Sequence, residues 1–250
     1  MFHYGMFAQS VDPAGVLLPI TAAREEMFFT SGADFRVPSQ LPFLIGALAM
    51  ANDASVSRAQ VQSPSLRILA NLDVEPIVAA AVLGTPPEQS TWPATPIPLQ
   101  ADEALNFAIL SDPAAAAIHY GHVLLSDGPQ QPVSGTLFTV RATATIAQNT
   151  VNWVNGNLTF SQSLPAGRYA VVGMRARSTD AVAARLVFPE QMARPGVPVV
   201  NAIADLDPWY FRFGRIGVFG EFPHTNPPTL DVIGGAAAAQ TIILDLVRTK

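Results

Sequence analysis

The chain has 250 residues and a formal net charge of −5, with 49% hydrophobic residues, 13% charged residues, 22 prolines and no cysteine. This composition excludes a small disulfide scaffold, which needs cysteines, and a disordered chain, which lacks apolar residues. The charged fraction is roughly half that of an ordinary soluble domain, so few charges remain to cover a monomer's surface and we expect extensive subunit contacts.

The N-terminal 24 residues do not read as a signal peptide, because they have no basic region and are interrupted by Asp12 and Pro13. The longest apolar runs, such as residues 41–51, fall short of the ~18 residues of a spanning helix. We therefore expect a soluble chain without a transmembrane segment. The aromatic residues 1–7 are expected either to lie against a membrane or to pack on a neighbouring subunit.

The first half is predicted to be a β module with one short helix. The helix is predicted over residues 65–72, capped by Ser65. Residues 85–98 hold five prolines in fourteen positions and are predicted to form an extended loop. Strands are predicted over residues 16–22, 26–30, 33–37, 77–83, 105–111 and 118–126.

A turn-rich stretch at residues 126–134 (SDGPQQPVS) lies at mid-chain and predicts a domain boundary. The predicted domains are residues 1–126 and residues 127–250.

The second half alternates apolar and polar residues more regularly, as in TLFTVRATATIA at residues 136–147. Asn155-Gly156 favours a bend or a hairpin. Trp209, Phe211 and Phe213 are predicted to share one face of an interior strand, with a bulge near Gly214. Eight strands are predicted, over residues 136–147, 151–161, 168–178, 183–188, 197–204, 209–219, 229–233 and 240–247.

Prolines between these strands exclude long helices, and eight short strands within about 115 residues are typical of an antiparallel sandwich or jelly roll. The predicted fold is therefore all-β, an antiparallel β-sandwich or jelly roll, with two such modules in tandem.

Two of the four histidines, His119 and His122, stand close enough in sequence to suggest a metal site. In a strand, however, residues three apart point to opposite faces, which disfavours shared coordination. Asp205 and Asp207 could place two carboxylates on a loop for Ca²⁺, although solvated loop acids are the commoner situation.

No nucleophile or phosphate-binding motif is present. The chain lacks cysteine and a Gly-x-Ser-x-Gly elbow, and its one lysine, Lys250, follows no glycine-rich turn. The glycines at 214, 217 and 220 lie in an aromatic segment that no helix pattern follows, unlike a dinucleotide fingerprint. We therefore predict no catalytic, cofactor-binding or metal-binding residue and no enzymatic activity.

The densest basic stretch contains Arg168, Arg175, Arg177 and Arg185. These residues alternate with apolar ones, which favours solvated or interfacial positions on one sheet face over a nucleic-acid patch. No basic arm is present, so direct nucleic-acid binding of that kind is not expected.

Taken together, these strands and loops such as residues 188–196 and 221–228 resemble the shell proteins of tailless icosahedral viruses. The resemblance implies one or two jelly rolls standing upright in a capsid and forming trimers of pseudo-hexameric outline. It implies a structural virion protein whose partners are further copies of itself and other virion proteins. Members that package RNA directly often carry a basic N-terminal arm, and its absence here suits a shell built around a membrane or a preformed cargo.

Two other functions remain open. The chain could be a carbohydrate- or receptor-binding β-sandwich, with Trp92, Trp153, Trp209 and Tyr210 as stacking platforms. A cupin-type barrel enzyme is disfavoured by the missing ligand pattern.

Overall fold

The computed structural model describes residues 1–11, 15–23, 30–31, 34–51, 56–68, 72–74, 78–79, 91–111, 117–132, 135–179, 181–200, 211–235 and 238–249. The fold is all-β and is built mainly from antiparallel sheets, as the sequence predicted. Within the described residues, no helix has the length and apolar character needed to cross a membrane.

The first half forms two sheets. Its strands are β1 (Phe2–Val11), β2 (Leu18–Ile20), β3 (Thr30–Ser31), β4 (Asp34–Arg36), β5 (Phe43–Ala51), β6 (Val56–Gln62), β7 (Leu72–Asp73), β8 (Val78–Ala79), β9 (Ile97–Pro98), β10 (Ala104–Ser111) and β11 (Ala117–Ser126). One sheet has the order β1-β11-β5, followed by β8 and β9, which both pair with β5. The other has the order β3-β4-β10-β6-β7, and β2 also pairs with β10.

Several predictions for the first half need correction. The helix predicted over residues 65–72 is a single 3-10 turn, Leu66–Ile68, within the part that the structure describes. Strands β1, β5 and β6 were not predicted. Of the proline-rich loop, residues 85–90 lie outside the described residues, whereas Ile97–Pro98 form the short strand β9.

The second half forms one nine-stranded sheet. Its strands are β12 (Leu137–Thr145), β13 (Val154–Gly156), β14 (Thr159–Phe160), β15 (Arg168–Ser178), β16 (Ala181–Val187), β17 (Gly196–Val200), β18 (Gly220–Pro223), β19 (Thr229–Gly234) and β20 (Ala239–Arg248). The order is β13-β19-β16-β17-β15-β20-β12-β14, with β18 also paired with β15.

This sheet is curled. Strands β13 and β14 occupy its two ends, yet β13 ends at Gly156 and β14 begins at Thr159. Three Cα steps span at most about 11 Å, so the two ends of the sheet must lie close together. Asn155-Gly156 therefore belongs to a bend between opposite ends of the sheet and not to a hairpin.

The strand predicted over residues 209–219 is wrong where the structure describes it. Residues 211–217 form turns, in which Gly214 and Gly217 adopt φ of 74° and 92°, and the next strand begins at Gly220. The backbone N–H of Gly214 donates to the carbonyl of Val172 at 2.7 Å, so the segment lies along the edge of β15.

The two halves repeat one order of strand pairing. In the first half, β1-β11-β5-β9 are successive neighbours in one sheet and β2-β10-β6-β7 in the other. In the second half, the equivalent runs are β12-β20-β15-β18 and β13-β19-β16-β17. Even the parallel pairing of β5 with β8 has a counterpart in that of β15 with β17.

The sheet containing β1, β11 and β5 is buried on both faces. Phe2, Tyr4 and Met6 point into a core shared with the second half, whereas Phe7 and Val123 point into the core between the two N-terminal sheets. Among the described residues, no strand pairing joins residues 1–126 to residues 127–250. In the described residues, strands therefore pair only within each predicted half, whereas one apolar core contains residues from both halves.

This buried sheet gives a second explanation for the low charged fraction. Within the described residues, the exposed large hydrophobic side chains are Met1, Val16, Leu137 and Phe213. The aromatic residues 2–7 form most of β1 and are buried within this chain, rather than presented to a membrane or a neighbouring subunit. The chain therefore buries much of its apolar content itself.

Candidate functional site

His119 and His122 lie on opposite faces of β11, because side chains alternate along a strand. His122 pairs in register with Met6, whose side chain points toward the second half, and His119 pairs with Gln9. Nε2 of His119 lies 3.1 Å from the carbonyl oxygen of Val11. In the described part of the chain, no three His, Cys, Asp or Glu side chains are grouped so that they could hold a metal ion.

His122 instead forms a buried pair with Tyr4. The Tyr4 hydroxyl and Nδ1 of His122 share a hydrogen bond of 2.6 Å, whose donor depends on the tautomer of the imidazole. Burial lowers the pKa of His122 to about 3 and raises the pKa of the Tyr4 hydroxyl well above its usual value. Both side chains are therefore neutral over the ordinary pH range, and neither is poised to exchange a proton near pH 7.

A buried ion pair lies where the two halves meet. Arg185 on β16 and Asp231 on β19 are partners in register, and Nε of Arg185 donates to the carboxylate at 2.9 Å. The same guanidinium donates to the carbonyl of Tyr4 at 3.2 Å and lies 4.0 Å from the ring centre of Trp153. Asn155 donates to the other carboxylate oxygen at 2.8 Å. Arg185 thus links the second half directly to strand β1.

A second buried ion pair holds the segment 211–217 in place. Arg212 donates two hydrogen bonds to Asp245, at 2.7 and 2.8 Å, and the N–H of Phe213 donates to the same carboxylate at 2.8 Å. Gly173 is the register partner of Asp245. A Cβ at Gly173 would lie 2.9 Å from the backbone of Arg212 and of Phe213, so this close approach requires glycine.

The four arginines of the predicted basic stretch do not form one surface. Arg175 and Arg177 lie on the outer face of β15, and Arg168 is 3.9 Å from Glu221. The expectation that Arg185 is solvated or interfacial on that same sheet face is wrong, because Arg185 lies on β16 and is fully buried where the two halves meet.

The aromatic residues proposed as carbohydrate platforms are engaged in packing where they are described. Trp92 is half-buried and donates its indole N–H to the carbonyl of Leu44 at 3.1 Å. Trp153 is half-buried beneath the guanidinium of Arg185. Trp209, Tyr210 and the two carboxylates considered for Ca²⁺, Asp205 and Asp207, lie outside the described residues.

A groove of about 570 Å³ lies at one end of the second half, lined by residues including Phe138, Tyr169 and Arg248. Two of its polar side chains, Tyr169 and Arg248, bond to the backbone of the adjacent loop. The Tyr169 hydroxyl donates to the carbonyl of Pro165 at 2.6 Å, and the Arg248 guanidinium donates to that of Ala166 at 2.7 Å.

Comparisons with protein-family models, curated proteins and solved structures found no match. The function must therefore be argued from the geometry of this chain.

The buried ion pairs were missed by the sequence analysis, although the sequence contains a signal for them. Arg185 stands in AVAARLV, Asp231 in TLDVIG and Asp245 in IILDLV, each a single charge within an apolar strand. Such a charge is almost never buried without a partner, so each predicts an ion pair. The partners themselves come from strand order and loop position, which no short pattern specifies.

Proposed function

We propose that this chain is a structural virion protein that self-assembles into an icosahedral capsid shell. The observation that carries the proposal is the repeated strand order of the two halves. Eight strands arranged as two four-stranded sheets, with the first strand beside the last, are typical of the jelly roll found in viral capsid proteins, lectins and cupins. We accordingly interpret residues 1–126 and 127–250 as two jelly rolls in tandem.

The way in which the halves are joined supports a rigid building block. A sheet that is buried on both faces over most of β1, a shared apolar core and the Arg185–Asp231 pair connect them. Three copies, each with two similar modules, would present six modules around an axis, which is the geometry of a pseudo-hexameric trimer.

Four buried side chains of types that are often catalytic have structural roles. His122 and Tyr4 are a buried neutral pair, and Asp231 and Asp245 are held in buried ion pairs. These roles favour a structural protein over a cupin-type enzyme.

The test is the mass of the purified full-length chain at micromolar concentration, by light scattering, with negative-stain microscopy. We expect trimers of about three times 26.5 kDa, or larger closed particles. A stable monomer of 26.5 kDa with no tendency to associate would contradict the proposal. If that monomer also bound immobilised glycans, the carbohydrate-binding alternative would replace it.

A further inference from the structure

Strand β12 has an open edge at one end of the second half. On the side away from β20 its neighbour is β14, which pairs with Ala142 and Thr143. The N–H of Ser161 donates to the carbonyl of Arg141 at 2.8 Å, and beyond Ser161 the chain leaves the strand. Among the described residues, no strand therefore lies beside residues 137–140 on this edge.

Two residues direct their backbone groups toward the open edge. Along an antiparallel strand, successive residues form their backbone hydrogen bonds on alternate sides, and Arg141 forms its bond on the side of β14. Leu137 and Thr139 must point their N–H and C=O groups to the same side, where no backbone partner lies among the described residues. Leu137 is 39% exposed and Thr139 is exposed as well. An accessible, unpaired edge of this kind is a template for a further strand.

The groove of about 570 Å³ lies alongside this edge. Thr136 and Phe138 line it on the side of β12, and Gln162, Leu164 and Pro165 line it on the side of the loop that follows β14. We name it the edge groove. One extended segment fits between the strand and the loop, whereas the edge of a second sheet would meet the loop.

The lining of the edge groove favours an apolar segment that carries a negative charge. Phe138 and Tyr169 lie side by side, with ring centres 5.8 Å apart, and offer an aromatic surface to an inward-pointing side chain. Arg248 is exposed at the groove, and no carboxylate is among the described residues that line it. A carboxylate of the bound segment can therefore pair with this guanidinium.

The bound segment has to come from a polypeptide with an unpaired extended stretch. Each strand that the structure describes is already paired within its own chain, and β1 is buried over most of its length. The described strands of a second copy therefore offer no free strand to the edge groove. This favours a different protein as the partner.

We propose that the edge groove binds a short extended segment of a different protein, which adds to β12 as a further strand. The segment places an apolar side chain against Phe138 and a carboxylate at Arg248. Backbone hydrogen bonds to Leu137 and Thr139 supply affinity, and the two side-chain contacts supply specificity. At about 3.3 Å per residue, the open edge accommodates about four residues of the partner. The inference goes beyond the proposed self-assembly and does not depend on it.

The first test selects peptides from a random eight-residue library on the immobilised full-length wild type. Binding of the enriched peptides is then compared with that to Thr139→Pro by fluorescence polarisation. Proline removes the N–H that the added strand needs, and this N–H forms no bond in the sheet of the chain itself. We expect the enriched peptides to combine apolar residues with Asp or Glu, and to bind Thr139→Pro at least tenfold more weakly.

Thr145→Pro is the matched control for the first test. Thr145 is exposed on the same strand and directs its backbone to the same edge, but it lies beyond β14 and away from the edge groove. With both variants folded by circular dichroism, Thr145→Pro should bind the peptides within about twofold of the wild type. Failure to enrich any peptide, or equal binding to Thr139→Pro and the wild type, would overturn the inference.

A pair of charge-neutralising variants tests the chemistry of the segment. Arg248→Gln should weaken binding of the enriched peptides about threefold, because it removes the partner of their carboxylate. Arg67→Gln makes the same change at an exposed arginine in the first half and should leave the affinity unchanged. Enriched peptides without a carboxylate, or equal affinities in the two variants, would contradict an acidic segment.

Hydrogen exchange locates the peptide on the wild-type chain without any substitution. We expect the amide hydrogens of Leu137 and Thr139 to exchange at least tenfold more slowly with an enriched peptide bound, because the added strand accepts them. Exchange that slows elsewhere and not at these two residues would place the peptide at another site and overturn the inference.

Self-association of the same variants separates this inference from the proposed function. We expect Thr139→Pro to associate like the wild type by sedimentation velocity. A wild-type monomer that binds the peptides would contradict the shell and support the edge groove. If Thr139→Pro loses an association that the wild type shows, the edge groove takes a segment of a second copy, and the inference of a different protein is wrong.

Discussion

At the scale of single residues, burial keeps His122 and Tyr4 neutral over the ordinary pH range. Nδ1 of His122 is hydrogen-bonded to the Tyr4 hydroxyl, and its Nε2 has no hydrogen-bond partner among the described residues. Charging this imidazole would place a cation in an apolar core without a counter-ion. Its lowered pKa is therefore a property of the fold, with a consequence for stability.

We expect His122 to make the protein less stable as the pH falls. The pKa of His122 is about 3 in the folded chain and near 6.5 when unfolded, so between these values only the unfolded chain takes up the proton. The free energy of unfolding should therefore fall by up to about 1.4 kcal/mol per pH unit as the pH drops from 6.5 toward 3. Urea unfolding at pH 6.5 and pH 4.5 measures this loss.

Two variants isolate the effect. His122→Asn retains an acceptor for Tyr4 but does not titrate, so it should lose about 2 kcal/mol less than the wild type over that interval. Tyr4→Phe leaves the imidazole buried and should keep the wild-type pH dependence. Equal pH dependence in His122→Asn and the wild type would contradict this explanation.

At the scale of elements, the segment 211–217 separates one buried aromatic ring from one exposed ring. Phe211 is 4% exposed and belongs to the core, whereas Phe213 is 49% exposed at a φ of 59°. Hydrogen bonds from Arg212 and from the N–H of Phe213 to Asp245 hold the turn that contains Gly214. This turn directs the Phe213 ring into solvent. Alternation alone placed both rings on the same side, because it presupposes a regular strand.

We expect Phe211→Ala to lower the free energy of unfolding by about 3–5 kcal/mol, through lost burial and a residual cavity. Phe213→Ala removes an exposed ring and should change it by less than about 1 kcal/mol. Urea unfolding of the two variants beside the wild type measures the contrast. Similar losses would mean that the two rings do not differ in burial.

Two of the strands that the sequence pattern missed, β1 and β5, share a physical cause. Strand β12 has one face in the core and one in solvent, so Val140 and Ala142 alternate with Thr139 and Arg141 and the strand was predicted. Strands β1 and β5 are apolar on both sides, because they lie in the sheet between two cores. A strand buried on both faces gives a continuous apolar run without alternation.

At the scale of the whole molecule, the shared core couples the two halves. The Arg185–Asp231 pair contributes to this coupling, because the Arg185 guanidinium also donates to the carbonyl of Tyr4 in the first half. Arg194 also donates to Asp231, at 3.2 Å, but its side chain is more exposed than that of Arg185. Removing Arg185 therefore takes away the buried partner of this carboxylate and the bond to Tyr4, which is costly in a poorly solvated site.

We expect Arg185→Ala to lower the free energy of unfolding by about 3–5 kcal/mol, and the wild type to unfold in a single transition. Arg168→Ala is the matched control, because the contact of Arg168 with Glu221 is 3.9 Å long and exposed, and the variant should lose less than about 1 kcal/mol. Two separate wild-type transitions would mean that the halves fold independently despite the core they share.

The sequence by itself determined the all-β class and most strands of the second half, because alternation and proline placement are local properties. Only the tertiary structure decided which strands became neighbours, that residues 2–7 are buried inside the chain, and that Arg185 and Arg177 have opposite environments. Strand order and layering depend on contacts between residues far apart in sequence. Arg177 and Arg185 are eight positions apart in similar strands, and one is exposed while the other is buried because their strands lie in different walls of one curled sheet.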